Sequence, residues 1–187
     1  MDRYITELIG ELHGKNAYLD ELFIFIADYS SYFFAVVFLV LVGFMGVKAV
    51  SNYSGKDFYG LAILPLALLI NLLIRELVSR ERPFSALEDF SSLIYHSYEN
   101  SFPSNHAAAS FAIAAMVFLI NKRLGYVVFV GALIVSLSRV YVGVHYLSDV
   151  MVGALVSILV YYGVYVFRHD LQNLTDKLFR SVLKIKK

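Results

Sequence analysis

Apolar runs long enough to cross a bilayer fill most of this chain, and they set its fold class before any single residue is considered. Phe58 to Ile74 carries no charge and is roughly the length that a hydrocarbon core requires. Similar runs cover about Leu22 or Tyr32 to Val47, Leu124 to Ser138 and Val150 to Phe167, and a shorter one covers Ala107 to Ile120. In lipid every backbone polar group must be satisfied within its own segment, so such runs fold as α-helices. Of the 187 residues only 17% are charged, against roughly 25% in a soluble domain. The chain therefore reads as one all-α, polytopic transmembrane helix bundle of about five to six spans, a single domain over residues 1–187 with no room for a second.

Short amphipathic segments flank the bundle. Over Arg3 to Leu12, Ile5, Leu8, Ile9 and Leu12 share one helical face; the stretch is too short to span, so it predicts an interfacial helix. Asp28 leaves the start of the first span open between two positions. Lys48 to Asp57 is a polar connection, and Asn121-Lys122-Arg123 is a tight turn. The third span is rich in alanine, which allows close helix contact. Residues 84–105 hold Glu88, Asp89, His96, Glu99 and Asn100 and cannot cross lipid. From Asp170 onward, Leu171, Leu174, Leu178, Val182 and Ile185 alternate with lysines and Arg180, the pattern of a basic helix lying on the membrane surface. The first residues lack the layout of a cleavable signal peptide. No cysteine is present, which excludes disulfides and thiolate metal sites.

Three polar clusters interrupt the apolar background: Arg75 to Pro83, Pro103 to His106, and Ser138 to Asp149. Counting spans puts all three on one side of the membrane. Lys48, Lys56, Lys122, Arg123, Arg168, Lys177, Arg180, Lys184, Lys186 and Lys187 fall on the other side. Of the six basic residues on the cluster side, Arg75, Arg80, Arg82 and Arg139 sit within the clusters themselves. The positive-inside rule then places the clusters outside the cytoplasm, provided the N-terminal segment does not span.

Each cluster has a chemical reading and a plainer one. Arg75 and Arg82 are seven residues apart, about 700° of helix, so both guanidinium groups face one point if the helix runs on past the membrane edge to Pro83. They fit equally well as interfacial arginines snorkelling to headgroups. Ser104 is a natural N-cap, and the N–H groups after it, beginning with Asn105, can hold an anion with His106 beside it. A capping serine with a histidine at the membrane edge is the simpler reading of that tetrapeptide. His145 and Asp149 are four apart, hence on one helical face, where the carboxylate can fix the imidazole tautomer and leave the other nitrogen free to attack. Arg139 lies about 240° away from His145 on a continuous helix, so convergence needs a break, for which Gly143 is suited. A capping pair or a His/Asp zinc site are the alternatives there. Arginine forks for phosphate and two histidines suggest a membrane-embedded phosphate-ester or diphosphate hydrolase.

The clusters resemble the three-part signature of the type 2 phosphatidic acid phosphatase superfamily, K-x6-RP, PSGH and SR-x5-H-x3-D. The third part is intact from Ser138 to Asp149; Arg75 stands where lysine is usual, and Asn105 where glycine is usual. Arginine keeps the charge in a larger, forked group, and Asn105 keeps its backbone N–H without glycine's freedom. Arg82-Pro83-Phe84, Ser101-Phe102-Pro103-Ser104 and Gly143-Val144-His145-Tyr146 look like the bacitracin-resistance undecaprenyl-diphosphatases. The resemblance implies that His145 forms a phosphohistidine, that Asp149 orients it, and that His106 protonates the leaving group. It implies further that Arg75, Arg82, Arg139, Ser104 and Asn105 hold the phosphoryl oxygens, and that no metal or other cofactor is needed.

The expected function is hydrolysis of undecaprenyl diphosphate on the outer face of a bacterial plasma membrane, recycling the cell-wall lipid carrier. Alternatives within the fold are a phosphatase of phosphatidylglycerol phosphate, phosphatidic acid or lipid A, and a lipid phosphotransferase. A transporter or channel is the alternative of a different class; charges buried in mid-span favour it, and Asp28 is the candidate. The expected partners are the bilayer and a lipid mono- or diphosphate, with no nucleic acid.

Overall fold

A computed structural model describes residues 2–52, 54–87, 90–97 and 100–183. The elements in order are α1 (Asp2–Gly10), α2 (Ala17–Ser51), a 3-10 segment (Lys56–Ala62) running into α3 (Ile63–Leu77), α4 (Pro83–Ala86), α5 (Asn105–Ile120), α6 (Lys122–Tyr141), α7 (Leu147–Val166) and α8 (Arg168–Val182). There is no strand among the described residues. Four helical stretches are long and apolar enough to cross a membrane, and α5 is a shorter apolar helix among them.

The shortest apolar helix is the most enclosed. α5 packs against α2, α3, α6 and α7, and Ala107, Ala108, Ala112 and Ala114 are buried on it. Lipid tails are as apolar as leucine, so helices in a bilayer gain from close contact between small residues and from hydrogen bonds across them. Both devices operate at the α5–α7 contact. A Cβ on Gly153 would lie 2.5 Å from the carbonyl oxygen of Ser104, and the Ser157 hydroxyl donates to Ala108 O at 2.6 Å. Leu39, Val47, Leu69, Leu73, Val130 and Leu159 point outward, as lipid-facing side chains should. The α5–α6 hairpin turns on Asn121 alone, whose side chain accepts from the N–H groups of Arg123 and Leu124 and caps α6.

α2 is one helix of 35 residues, about 52 Å long, well beyond the thickness of a hydrocarbon core. Asn16 caps it, accepting from the Leu19 N–H. The first span thus does not begin at Leu22 or Tyr32 as a helix; it begins at Ala17 and enters the core partway along. Arg139 near the end of α6 donates to Ala27 O at 3.1 Å, which puts Ala27 level with the site end of the bundle. From there to Val47 the helix covers about 30 Å. Asp28 therefore lies level with the site end of the bundle, not at the middle of the helices.

α1 stays at the same end. His13 Nε2 contacts Tyr141 O at 2.6 Å, the Tyr141 hydroxyl donates to Asp20, and the Ser148 N–H donates to Asp2. This helix lies across the ends of α6 and α7 and does not span, as its sequence predicts. At the far end α8 is amphipathic, leaving Leu174, Leu178 and Val182 exposed while Asp176 accepts from Ser54 and Gly55 beside the 3-10 segment. Of the surface-helix pattern, Lys184, Ile185, Lys186 and Lys187 lie outside the described residues, as do Glu88, Asp89 and Glu99 of the loop.

Candidate active site

The three polar clusters meet at the end of the bundle where α3 and α6 finish and α5 and α7 begin. Two of the local geometries differ from those expected. The helix carrying Arg75 stops at Leu77; Val78 is extended, and Arg82 is extended as well. Arg75 and Arg82 are therefore not two turns apart on one helix. The physical reason is Asn100: its amide donates to Arg75 O and Val78 O and accepts from the Arg80 and Phe102 N–H groups, so it takes over the helix end. Pro83 then opens α4 instead of ending α3. Likewise His145 and Asp149 do not share a helical face. His145 precedes the N-cap Tyr146, and Asp149 is the third residue of α7, where its Oδ2 accepts from the Tyr146 N–H at 2.9 Å. Capping geometry, not helical periodicity, turns the carboxylate back toward His145.

The break at Gly143 is where the sequence requires it. Its φ is +81°, a left-handed value that favours glycine, and a Cβ there would meet the Phe90 ring at 2.5 Å. Past that turn His145 comes back beside the first cluster. Arg82 Nη1 donates to Val144 O at 2.8 Å and lies 3.5 Å from His145 Nε2; His145 Nδ1 lies 3.5 Å from Asp149 Oδ2. Arginine can only donate, so the nitrogen it faces carries the lone pair and the proton belongs on Nδ1, toward Asp149. Burial, with the charges of Arg82 and Arg139 behind it, holds the imidazole well below its ordinary pKa range, so it is neutral at neutral pH. A neutral ring with its lone pair beside an arginine is placed to attack an anion that the arginine holds.

Ser104 caps α5, accepting from the Ala107 N–H, and its own N–H donates to Asp149 O at 3.1 Å, which ties the second cluster to the third. His106 follows in the first turn of α5, within electrostatic reach of Arg139, His145, His96 and Arg82. Arg139 is 2% exposed and points the same way, with one amine on Ala27 O. Arg75 is half-buried at the end of α3, its carbonyl held by Asn100. Among the described residues no three His, Cys, Asp or Glu side chains gather as a metal site.

Four contributors were not singled out from the sequence. Arg80 donates to Asp149 Oδ1 at 2.6 Å. His96 brings a third imidazole to 6.4 Å from that of His145, centroid to centroid. Asn100 organises the loop as described. Asn71, fully buried one turn before Arg75, donates to Pro103 O and, at 2.6 Å, to Asn105 Oδ1. A carbonyl such as Pro103 O accepts only, which orients the Asn71 amide and makes Asn105 present its oxygen to it. The unusual residue of the second cluster is thus held by its side chain as well as by its place in the helix. The polar spacing within the first cluster was the available signal for Arg80; nothing local marks Asn71 or His96.

From Asn105 and His106 an apolar groove of about 570 Å³ runs between Phe34 and Phe38 of α2, Leu64, Leu68 and Leu72 of α3, and Ala109 and Ile113 of α5. Its polar lining is confined to Ser30, Ser31, Asn105, His106 and Ser110, and the rest is apolar.

Comparison with known proteins identifies the family. The family model for the PAP2 superfamily matches residues 58–173. The chain is 33% identical over 151 residues to the bacitracin transport permease protein BcrC of Bacillus licheniformis, covering 81% of this chain and 72% of that protein. It is 28% identical over 177 residues to the undecaprenyl-diphosphatase BcrC of Bacillus subtilis, covering 93% and 89%. The crystal structure of Aquifex aeolicus LpxE superposes with a TM-score of 0.71 at 25% identity, covering 88% of this chain and 94% of that one. The chain belongs to the PAP2 superfamily, and within it to the membrane-embedded lipid phosphatases.

Proposed function

We propose that this protein hydrolyses undecaprenyl diphosphate to the monophosphate and inorganic phosphate through a phosphohistidine on His145. The observation that carries the reading is the buried His145 ring set between Asp149 and Arg82, with His106, within electrostatic reach of it, lining an apolar groove. The Bacillus subtilis relative, named for this activity and matched along most of both chains, supports the choice of lipid.

In the reaction, Arg75, Arg82 and Arg139, with Ser104 and the N–H groups at the start of α5, hold the terminal phosphoryl oxygens and neutralise the charge that spreads over them. Nε2 of His145 attacks phosphorus as the bond to the bridging oxygen breaks, and His106, protonated once the bound substrate's negative charge offsets the arginines around it, gives its proton to that oxygen. The undecaprenyl monophosphate leaves along the groove. Water then gives a proton to His106 and attacks the phosphohistidine, which releases phosphate and restores the ring. Asp149 holds the ring and balances its positive charge. No metal enters this scheme, because arginines and a helix N-terminus perform the neutralisation.

Phosphate release by the purified protein in excess EDTA, compared across undecaprenyl diphosphate, phosphatidylglycerol phosphate and phosphatidic acid, tests both halves of the reading. Full activity in chelator is expected, with the highest kcat/KM on the diphosphate. A preference for either glycerolipid overturns the substrate. Loss in EDTA that a divalent ion restores, once binding of the ion to substrate is excluded, overturns the metal-free scheme.

The name of the Bacillus licheniformis relative raises transport as a second reading. Against it, the charged residues of the spans collect at their ends, and Asp28, the one candidate for a mid-span charge, sits level with the end of α6. The active site belongs on the extracytoplasmic side, since the ten basic residues opposite the clusters favour the cytoplasm. A cysteine at the exposed Ser97 is expected to react with an impermeant thiol reagent on intact spheroplasts, and one at the exposed Lys122 only after lysis. The chain has no cysteine of its own to blur the result. The reverse pattern would move the site to the cytoplasm and remove carrier recycling from consideration.

A further inference from the structure

The proposed scheme leaves one buried contact unused, the cation that holds the far side of Asp149. Oδ2 of Asp149 faces His145 and accepts from the Tyr146 N–H; Oδ1 accepts from Arg80 Nη1 at 2.6 Å. The same amine donates to the Ser148 hydroxyl at 2.6 Å, and the guanidinium carbon lies 3.9 Å above the centre of the Tyr146 ring. Nη2 of Arg80 pairs with Asp2 of α1 at 2.9 Å. Asp2 in turn accepts from both the N–H and the hydroxyl of Ser148. Burial works against the Asp2 carboxylate, but the bonds from Ser148 and Arg80 outweigh it and hold its pKa below the ordinary range. The backbone of Arg80 is fixed as well, its N–H on Asn100 and its carbonyl on the Ser101 N–H.

We propose that Arg80 is a positioning residue for phosphoryl transfer and that Asp2 tunes it, so that the N-terminal helix is a working part of the active site. The inference rests on the reading of His145 and Asp149 as the reacting pair.

Two arguments carry it. First, Asp149 is fully buried, and a buried carboxylate that keeps only the neutral donors Tyr146 N–H and Ser101, with no cation beside it, takes up a proton more readily. A protonated Asp149 cannot balance the positive charge that His145 gains as it bonds to phosphorus. Second, Arg80 alone would cancel the charge that it protects. With Asp2 attached, the set of Asp149, Arg80 and Asp2 keeps a net charge of one negative, and it stands behind the imidazole. Arg80 faces the carboxylate and not the ring, so its part is played through Asp149 and not on the phosphoryl group.

The test measures kcat, KM and the pH profile of kcat for Arg80→Gln, Arg80→Lys and Asp2→Asn in the full chain, per folded molecule, with His145→Ala as control. Arg80→Gln is expected to lower kcat by roughly 10- to 100-fold, the range for a lost supporting partner, with KM little changed. Its acid limb moves to higher pH, because a carboxylate stripped of its cation takes up a proton more readily. Arg80→Lys recovers part of the rate. Asp2→Asn gives a smaller, severalfold loss with the acid limb moved the other way, since the cation is then no longer shared. Opposite shifts of that limb are beyond a merely structural role. A raised KM with unchanged kcat makes Arg80 a phosphate ligand and overturns the proposal, as do unchanged rates and profiles. Should Arg80→Gln fail to fold, the other two variants decide alone. An active His145→Ala would instead defeat the underlying site reading, and a dead one beside unaltered Arg80 variants defeats only this proposal.

Discussion

Replacing His145 by alanine removes turnover and phosphoenzyme together, in a protein that still folds. Both contacts of the ring nitrogens to Arg82 and Asp149 are long, 3.5 Å each, so little hydrogen-bond energy is lost with the ring. The chemistry depends on it entirely in the proposed scheme, since no other described nucleophile lies between Arg82 and Asp149. Losing the attacking group of a catalytic set costs at least about a thousandfold in kcat. Rapid quench into alkaline detergent after brief exposure to labelled substrate, followed by a search for acid-labile, base-stable phosphate on the protein, reads the intermediate directly. Asp149→Asn keeps a measurable fraction of the rate, because the imidazole remains but its tautomer and charge balance suffer. That variant also leaves Arg80 facing a neutral amide, so some loss of stability accompanies it. Normal turnover by His145→Ala would end the assignment of the nucleophile.

The second large effect separates the two histidines. A residue that protonates the leaving oxygen matters in proportion to how badly that oxygen needs a proton. His106→Ala should slow phosphoenzyme formation from an alkyl phosphate by about 10²- to 10⁴-fold, while formation from a nitrophenyl phosphate, whose leaving group departs unaided, loses much less. His106 is half-buried and lines the groove proposed to hold the lipid, which is why the leaving oxygen is expected beside it. Equal loss on both substrates would instead make it a binding or structural residue. Phosphoenzyme formation from the activated substrate should survive in this variant, whereas its breakdown slows, since the same imidazole takes the proton from the attacking water.

Several parts of this arrangement were legible in the residues alone. Ser104 as the cap of α5, the short N-terminal helix, the need for a turn at Gly143, and the meeting of all three clusters at one end follow from local rules. Side-chain chemistry decides a cap, steric freedom decides a left-handed turn, and the length of an apolar run decides where a helix must leave the membrane. Those quantities are set within a few residues of one another.

Other parts depended on residues far apart in the chain. The expected two-turn register of Arg75 and Arg82 failed because Asn100, from a different segment, takes over the end of α3. His145 and Asp149 approach through the capping of α7 and not through a shared face, a distinction that spacing by four residues does not make. The partners of Asp149 at Arg80 and Asp2, and the pairing of Asn71 with Asn105, join positions with no mutual periodicity. Asn16 sets the start of α2 locally, but the level at which the helix passes the site end of the bundle follows from the docking of Arg139 onto Ala27. Short-range rules were enough for the apolar helices, the Ser104 cap and the end of the bundle at which the polar residues gather, because these rest on local sterics and on the cost of placing polar groups in lipid. Which buried donor meets which acceptor, and where the groove runs, was settled by packing between distant segments, because a buried charge is satisfied by whichever partner the other helices bring to it.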